Sequence, residues 1–404
     1  MKILHIDETF HPSYGYQAHP LAKFQQAQGH EVFIATVEKK WLYPVFKAFR
    51  DNGSGLEEAD ARFEQETGVK IYRAKAKGYV LGRLIYTKDI FDIVEQIHPD
   101  VIFVHCIETL TAIRFMYHPK MRKYPMLFDS HMLPMASRNR FANIYEWCFR
   151  QTVTRTVHKR NYTVIRTQDD DYVNSHLGIS ESLTPFISFG TDTMLFHPDE
   201  AVKAAFRQEH NIPEDAFVVV YTGKLSGSKG GKILAQATME KFPFPFALIL
   251  VGSPPPTQYG EEVTEMFNLS ENQIVRFKTQ NYLDLGKFYQ AADLSVFPKQ
   301  CSMSFYDAQA CGLPVLSEDN NINVDRCRHG NGFNFKAGDA ADFRAQIIRI
   351  AQMDSAQRQA LSDNALAFIQ DGNYSYNHIA RQYTDYLQQA IDQHNSSGKT
   401  ASRQ

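Results

Sequence analysis

The sequence predicts an α/β protein made of two doubly wound, Rossmann-like domains. Three observations lead there. Short β-branched runs alternate with amphipathic segments along most of the chain, the pattern of parallel sheets covered by helices. The 404 residues exceed what one core commonly organises. A Gly- and Pro-punctuated segment, Phe186 to Pro198, divides the alternation into two series.

Composition narrows the class. With 43% hydrophobic and 22% charged residues, the chain has ample material for two cores. A net charge of −2 carries no nucleic-acid signature. The five cysteines are scattered and lack metal-ligand spacing, which fits a reducing compartment and argues against a disulfide framework or a zinc site. Met1–Ile6 reads as a buried strand and not as a signal segment. No apolar run reaches the ~18 residues a spanning helix needs, so membrane contact is expected to be peripheral.

In the first series, Lys2–Ile6, Glu31–Val37, Asp100–His105, Pro125–Asp129 and Thr163–Ile165 read as strands. A polar turn containing Gly15 follows the first, then a helix with Leu21, Phe24 and Ala27 on one face. His131 stands just past a strand's carboxyl end, where open parallel sheets place ligands. Two stretches, Lys39–Arg50 and Arg138–Arg160, interleave cations with aromatics. Each reads either as a membrane-interface segment or as a surface helix packed on its own domain. Residues 1–190 hold 24 Lys and Arg against 21 Asp and Glu, and the remainder holds 19 against 24. That asymmetry suits anionic lipid headgroups or a lipid-diphosphate acceptor on the first half. Asp169-Asp170-Asp171 contains the spacing of a metal-binding DxD, but acidic residues at a helix start also complement its dipole.

In the second series, strands fall at Phe217–Thr222, Phe246–Val251, Ile274–Phe277 and Asp293–Phe297, with helices near Ala341–Met353, Ser355–Ile369 and Tyr376–Ile391. The most informative stretch is Phe297–Leu316, which reads strand, loop, helix, Gly-Pro break, strand. Ser304 caps the helix and Gly312 ends it. The loop carrying Ser302, Met303 and Ser304 would offer backbone N–H groups to a phosphate or pyrophosphate. Asp307 in the first turn suits either a ribose diol or the helix dipole. His394–Gln404 is polar and expected to be disordered.

AQACGLPV, residues 308–315, resembles the EAxACGxPV signature of the family 4 glycosyltransferases, retaining enzymes of GT-B fold that use sugar nucleotides. Gly223-Lys224…Lys229-Gly230 resembles the family's GRLxxxKG, with Lys224 in the Arg position. Gly190, Asp192, Phe196 and Pro198 match its interdomain linker, and Gly252-Ser253-Pro254 its VGxGP. Gly15 falls on the donor-phosphate glycine of its opening loop. The resemblance implies two Rossmann-like domains facing an interdomain cleft. It places a domain boundary at the linker: residues 1–190 on the acceptor side, 191–374 binding the nucleotide sugar, and helix 375–393 packing back on the first domain. It also implies donor-phosphate roles for Lys224, Lys229, Gly223 and Gly252, and a ribose contact for Asp307. His131 would donate to the donor sugar or help place the acceptor. Tyr282 would stack on the base or simply pack. The family's first motif Glu falls on Lys299, which puts the donor's sugar in question.

The resulting expectation is a retaining hexosyltransferase. It would move a sugar from a nucleoside-diphosphate donor, UDP-linked rather than GDP-linked, to a glycan or lipid-linked acceptor. No metal or other cofactor would take part, because two fixed cations and backbone amides suffice to stabilise a departing diphosphate. The setting would be bacterial surface polysaccharide or glycolipid synthesis, in the cytoplasm at the inner face of the plasma membrane. The alternative is a non-catalytic GT-B-like module that binds a glycan or a partner.

Overall fold

The computed structural model describes residues 1–46, 55–80, 83–133 and 142–401. Two compact units emerge. One comprises residues 1–47, 51–189 and 376–404, the other mainly 190–375.

The first unit is organised on a six-stranded, all-parallel sheet. Its strands are β1 (Lys2–Ile6), β2 (Glu31–Val37), β3 (Lys70–Ala74), β6 (Val101–Val104), β7 (Met126–Ser130) and β8 (Val164–Arg166), in the order β3-β2-β1-β6-β7-β8. An antiparallel hairpin, β4 (Ala76–Val80) and β5 (Arg83–Tyr86), is inserted after β3. The central strands are buried along their whole length, as helices on both faces require. The helix Tyr376–Ala401 closes this unit. Tyr376, Ile379, Ala380, Tyr383 and Leu387 share a core with Ile3, Leu21, Phe103 and Leu127. Helical structure continues through the residues expected to form a disordered tail, as far as Ala401, with Ser396 Oγ donating to the Asp392 carbonyl.

The second unit repeats the plan. β9 (Phe217–Thr222), β10 (Phe246–Val251), β11 (Gln273–Phe277), β12 (Leu294–Phe297), β13 (Val315–Glu318) and β14 (Gly332–Phe335) run parallel in the order β11-β10-β9-β12-β13-β14. In each sheet the order reverses once, between β1 and β6 and between β9 and β12. A crevice opens at such a point because the flanking connections leave in opposite directions. Among the described residues, no helix is long and apolar enough to cross a membrane.

Candidate functional site

In the second unit the chemistry gathers at the carboxyl ends of β9, β10 and β12. Gly223 and Gly252 follow β9 and β10 directly, with φ of 151° and 147°. A Cβ on Gly252 would lie 1.9 Å from the Gly223 carbonyl oxygen, so these two chain segments touch through bare backbone. The amide of Gly223 donates to the Val251 carbonyl at 2.9 Å and that of Gly252 to the Phe277 carbonyl at 3.0 Å. The loop after Gly223 then leans on the loop after β12. At Gly230, φ is +79°, and a Cβ there would meet the Pro298 Cβ at 2.8 Å and the Lys299 Cβ at 3.1 Å.

That contact brings two cations onto one loop, with a third near by. Lys229 Nζ donates to the Cys301 carbonyl at 3.2 Å. Arg326 Nη1 donates to the Ser302 carbonyl at 3.0 Å, and its guanidinium lies over the Phe305 and Tyr306 rings at 5.5 and 5.0 Å. Lys224 is exposed at the loop's start. Burial lowers the Lys229 ammonium's pKa; Lys224 and Arg326 lower it further against an opposing effect of Cys301. Burial likewise lowers Lys224. Three positive groups so close are mutually unfavourable, and a bound polyanion would relieve the repulsion. Lys299, Ser302, Met303 and Ser304 are half-buried beside them, and the Ser304 amide donates to Ser302 Oγ at 3.3 Å.

Two residues expected at the donor are buried. The Asp307 carboxyl is buried and accepts from Thr191 Oγ1 at 2.8 Å. Burial pushes it up to about 7, against the Thr191 hydrogen bond and with help from Asp192. Tyr282 is buried and packs in a T-shaped pair with Phe196 at 5.3 Å. Arg326 was not singled out from the sequence. It lies in the helix Asn321–Cys327, which precedes β14.

The first unit collects its polar groups at the ends of β1, β6 and β7. His5 Nε2 meets Gln25 Oε1 at 2.7 Å, and His5 Nδ1 meets His105 Nε2 at 3.0 Å. His105 Nδ1 lies 2.8 Å from Asp129 Oδ2, and His131 Nε2 lies 3.2 Å from the same oxygen. Burial alone would raise the Asp129 carboxyl; the His131 and His105 rings outweigh it and hold it well below the usual range. Burial alone would lower His131, but Asp129 chiefly holds it above its ordinary value. His5 is driven down to about 3 by burial and by His105, so it stays neutral. Alongside, Glu108 accepts from Ser130 Oγ while its Oε2 has no partner; it is 4% exposed, and burial pushes it up to about 7. Gly15 is half-buried in the turn after β1.

Among the described residues, only His105, Asp129 and His131 bring enough ligand atoms together for a metal, within 4.8 Å of one another. Both carboxylate contacts in that group are already accounted for as hydrogen bonds or ion pairs. Asp169–Asp171 form no such cluster; the Asp170 carbonyl accepts from Arg166 instead. Of the two basic-aromatic stretches, residues 47–50 and 138–141 lie outside the described residues.

The glycine-gated strand ends and the lysine loop all fall inside one recognisable segment. Residues 202–368 match the family Glycosyl transferases group 1. The group 1 segment therefore covers β9 to β14, the three cations and Asp307. Curated relatives include the lipopolysaccharide 1,2-N-acetylglucosaminetransferase of Salmonella typhimurium, 24% identical over 46% of this chain and 52% of that protein. A D-inositol 3-phosphate glycosyltransferase of Catenulispora acidiphila is 27% identical over 49% and 50%. The chain thus spans about half the length of the curated relatives it matches. Solved structures cover nearly all of it. Sucrose-phosphate synthase from Thermosynechococcus elongatus superposes with a TM-score of 0.71 at 19% identity, over 97% of this chain and 99% of that one. Anabaena HepE, crystallised with UDP and glucose, gives 0.70 at 19% identity, over 96% and 100%. The fold is GT-B: two Rossmann-like domains, the second carrying the group 1 segment.

Proposed function

We propose that the protein is a retaining, metal-independent hexosyltransferase of family 4. It would transfer a sugar from a nucleoside-diphosphate donor to a glycan or lipid-linked acceptor in surface polysaccharide or glycolipid synthesis. The observation that carries this reading is that Lys229 and Arg326 converge on the loop after β12, with Lys224 near enough for its charge to act on Lys229, beside strand ends stripped to glycine. A diphosphate would bring negative charge to this cation-rich loop, and the glycines would let it come close to the backbone. In the reaction, the bond between the sugar's anomeric carbon and the donor phosphate oxygen breaks. The acceptor oxygen bonds to the same face of that carbon, and its proton passes to the departing phosphate. Lys224 and Lys229 stabilise the charge that accumulates on the leaving diphosphate. His131, held by Asp129, donates to a sugar hydroxyl. The base is uracil in this reading, as in the UDP held by Anabaena HepE.

Isothermal titration with UDP and GDP is the direct test, together with donor turnover by Lys224→Ala and Lys229→Ala. UDP binding in wild type that weakens tenfold or more in either variant supports the proposal, since hydrogen bonds to charged groups contribute about 1.5–3 kcal/mol. Equal turnover by wild type and both variants overturns the mechanism. A second reading has its own support. Lys299 stands where the family's first Glu is expected, and Thr191 already occupies Asp307. Both features suit a module that binds a glycan without catalysis, and absence of UDP binding would favour it.

A further inference from the structure

The two basic-aromatic segments differ in where they put their tryptophan, half-buried at Trp41 and exposed at Trp147. In the helix Lys39–Phe46, Trp41 donates through Nε1 to the Ala76 carbonyl at 3.0 Å and packs across the β4–β5 hairpin, edge-on to Tyr79. Gly78 lies so close beneath that ring that a Cβ would stand 2.9 Å from it. Lys39 in turn is paired with Glu57 at 2.9 Å. That segment is committed to its own domain.

The second segment behaves differently. Residues 142–160 form one continuous helical rod, with a wider π turn at Arg150–Thr154. Phe149, Val153 and Val157 face inward. On the outer side Ile144 is 62% and Trp147 64% exposed, one turn apart. Arg155 and Lys159 continue the same exposed side. Tyr117 joins it, partly exposed and hydrogen-bonded through its hydroxyl to Thr156 Oγ1 at 2.8 Å. The rod's one acid, Glu146, is turned inward and tied to His176 at 3.1 Å. Among the described residues, Arg150, Arg155, Lys159 and Arg160 have no carboxylate at ion-pair distance. The guanidinium of Arg150 is held by the Ser175 and His176 carbonyls, and Arg155 by Gln151, so their charge is oriented without being neutralised.

We infer that this face docks the protein on an anionic lipid bilayer, with Ile144 and Trp147 entering the headgroup boundary and Arg155 and Lys159 against the lipid phosphates. The chemistry selects this occupant. An exposed aliphatic residue paired with a tryptophan suits an interface that is apolar on one side and wet on the other. Uncompensated cations around it suit anionic headgroups. A second copy would bring Arg155 and Lys159 against their own equivalents, because a two-fold interface presents the same patch twice. Nucleic acid would leave Ile144 unused. The inference deepens the lipid-side part of the proposed function but stands without sugar transfer, so the two fail separately.

The test uses the full chain and two kinds of vesicle, phosphatidylcholine alone and equal parts phosphatidylcholine and phosphatidylglycerol. Sedimentation should show binding to the second only, with release on adding salt. Tryptophan emission should shift to the blue on binding, and Trp147→Phe should abolish the shift while Trp41 remains. Ile144→Ser with Trp147→Ser, and separately Arg155→Glu with Lys159→Glu, should each weaken binding at least tenfold; each basic group near such a surface is worth about fivefold. All four side chains are exposed, so melting temperature and UDP binding should match wild type. Absence of binding to the anionic vesicles overturns the inference, as does full binding by both double variants. So does a wild-type dimer that the double variants split, or displacement from vesicles by a single-stranded oligonucleotide.

Discussion

Asp307→Asn should stabilise the second unit, and do so increasingly as pH rises. The wild-type carboxyl is pushed from 3.8 to about 7 by burial, with one hydrogen bond from Thr191 Oγ1 as partial compensation. A carboxyl with a raised folded-state pKa binds its proton more tightly in the native state. It therefore costs nothing below the unfolded pKa, and the cost grows as pH climbs from about 4 to about 7. Between pH 5 and pH 8 these two values give a loss of between about 2 and 3 kcal/mol. The amide keeps an acceptor for Thr191 and carries no charge, so the variant should escape that loss. For a unit of this size the gain amounts to roughly 5–10 °C in Tm at pH 8 relative to the difference at pH 5. Thermal melts of both proteins at the two pH values decide it. A Tm difference that stays constant, or moves against the variant as pH rises, would refute the reasoning. UDP titration of the same variant adds information: a tighter fold with weaker nucleotide binding would show that the carboxyl is kept for function at a cost in stability.

Gly230→Ala places a Cβ 2.8 Å from Pro298 at φ +79°, combining left-handed strain of about 1–2 kcal/mol with overpacking of about 1–3 kcal/mol. It should lower Tm and weaken UDP binding together, and wild-type values for both would show that the two loops need no close contact. Arg326→Met keeps bulk against Phe305 and Tyr306 but releases the Ser302 carbonyl, so UDP should bind about 10- to 100-fold more weakly. Equal affinity would remove Arg326 from the site. Asp129→Asn takes away the charge that holds His131 up, so the imidazole titration followed by NMR should move to lower pH. The stabilisation that His131 supplies in wild type is present at acid pH and lost as pH rises through its midpoint; in the variant that loss should come earlier. An unmoved titration would mean that the ring's charge is set elsewhere.

The strands that could be read from the sequence are those buried on both faces. Phe217–Thr222 and Phe246–Val251 are unbroken apolar runs bounded by Pro or Gly, and their observed limits coincide with the reading. β3 and the β4–β5 hairpin were hidden because they hold Lys70, Arg73 and Lys77, which suggest a basic cluster more readily than an edge strand. β14 is four residues with Asn334 at its centre, too short for a periodicity to register. The lysine loop was legible through its glycines, since a glycine's steric role survives in one dimension. Side-chain direction does not survive. Nothing near Asp307 announces that Thr191, 116 residues earlier, takes its oxygen, or that Arg326 reaches back to the Ser302 carbonyl.

Charge shows the same limit more sharply. By count, residues 1–190 are the basic half of the chain, which suggests an anionic partner throughout. The folded unit separates its charges. Its strand ends gather Asp7, Glu8, Glu108 and Asp129, which together with burial raise the Cys106 thiol well above its ordinary value. Many of its cations lie instead on the surface, as on the rod at 142–160. A phosphate drawn by the basic surface would be repelled at those strand ends, where hydroxyls and imidazolium groups are the natural partners of carboxylates. Both observations fit the lipid-linked acceptor proposed above, whose anionic part would stay at the surface while its hydroxyl-bearing part reaches inward. The Glu108 oxygen without a partner gives the inner part of this argument a measurable handle: Glu108→Gln should leave vesicle binding and UDP binding intact while weakening use of any acceptor sugar.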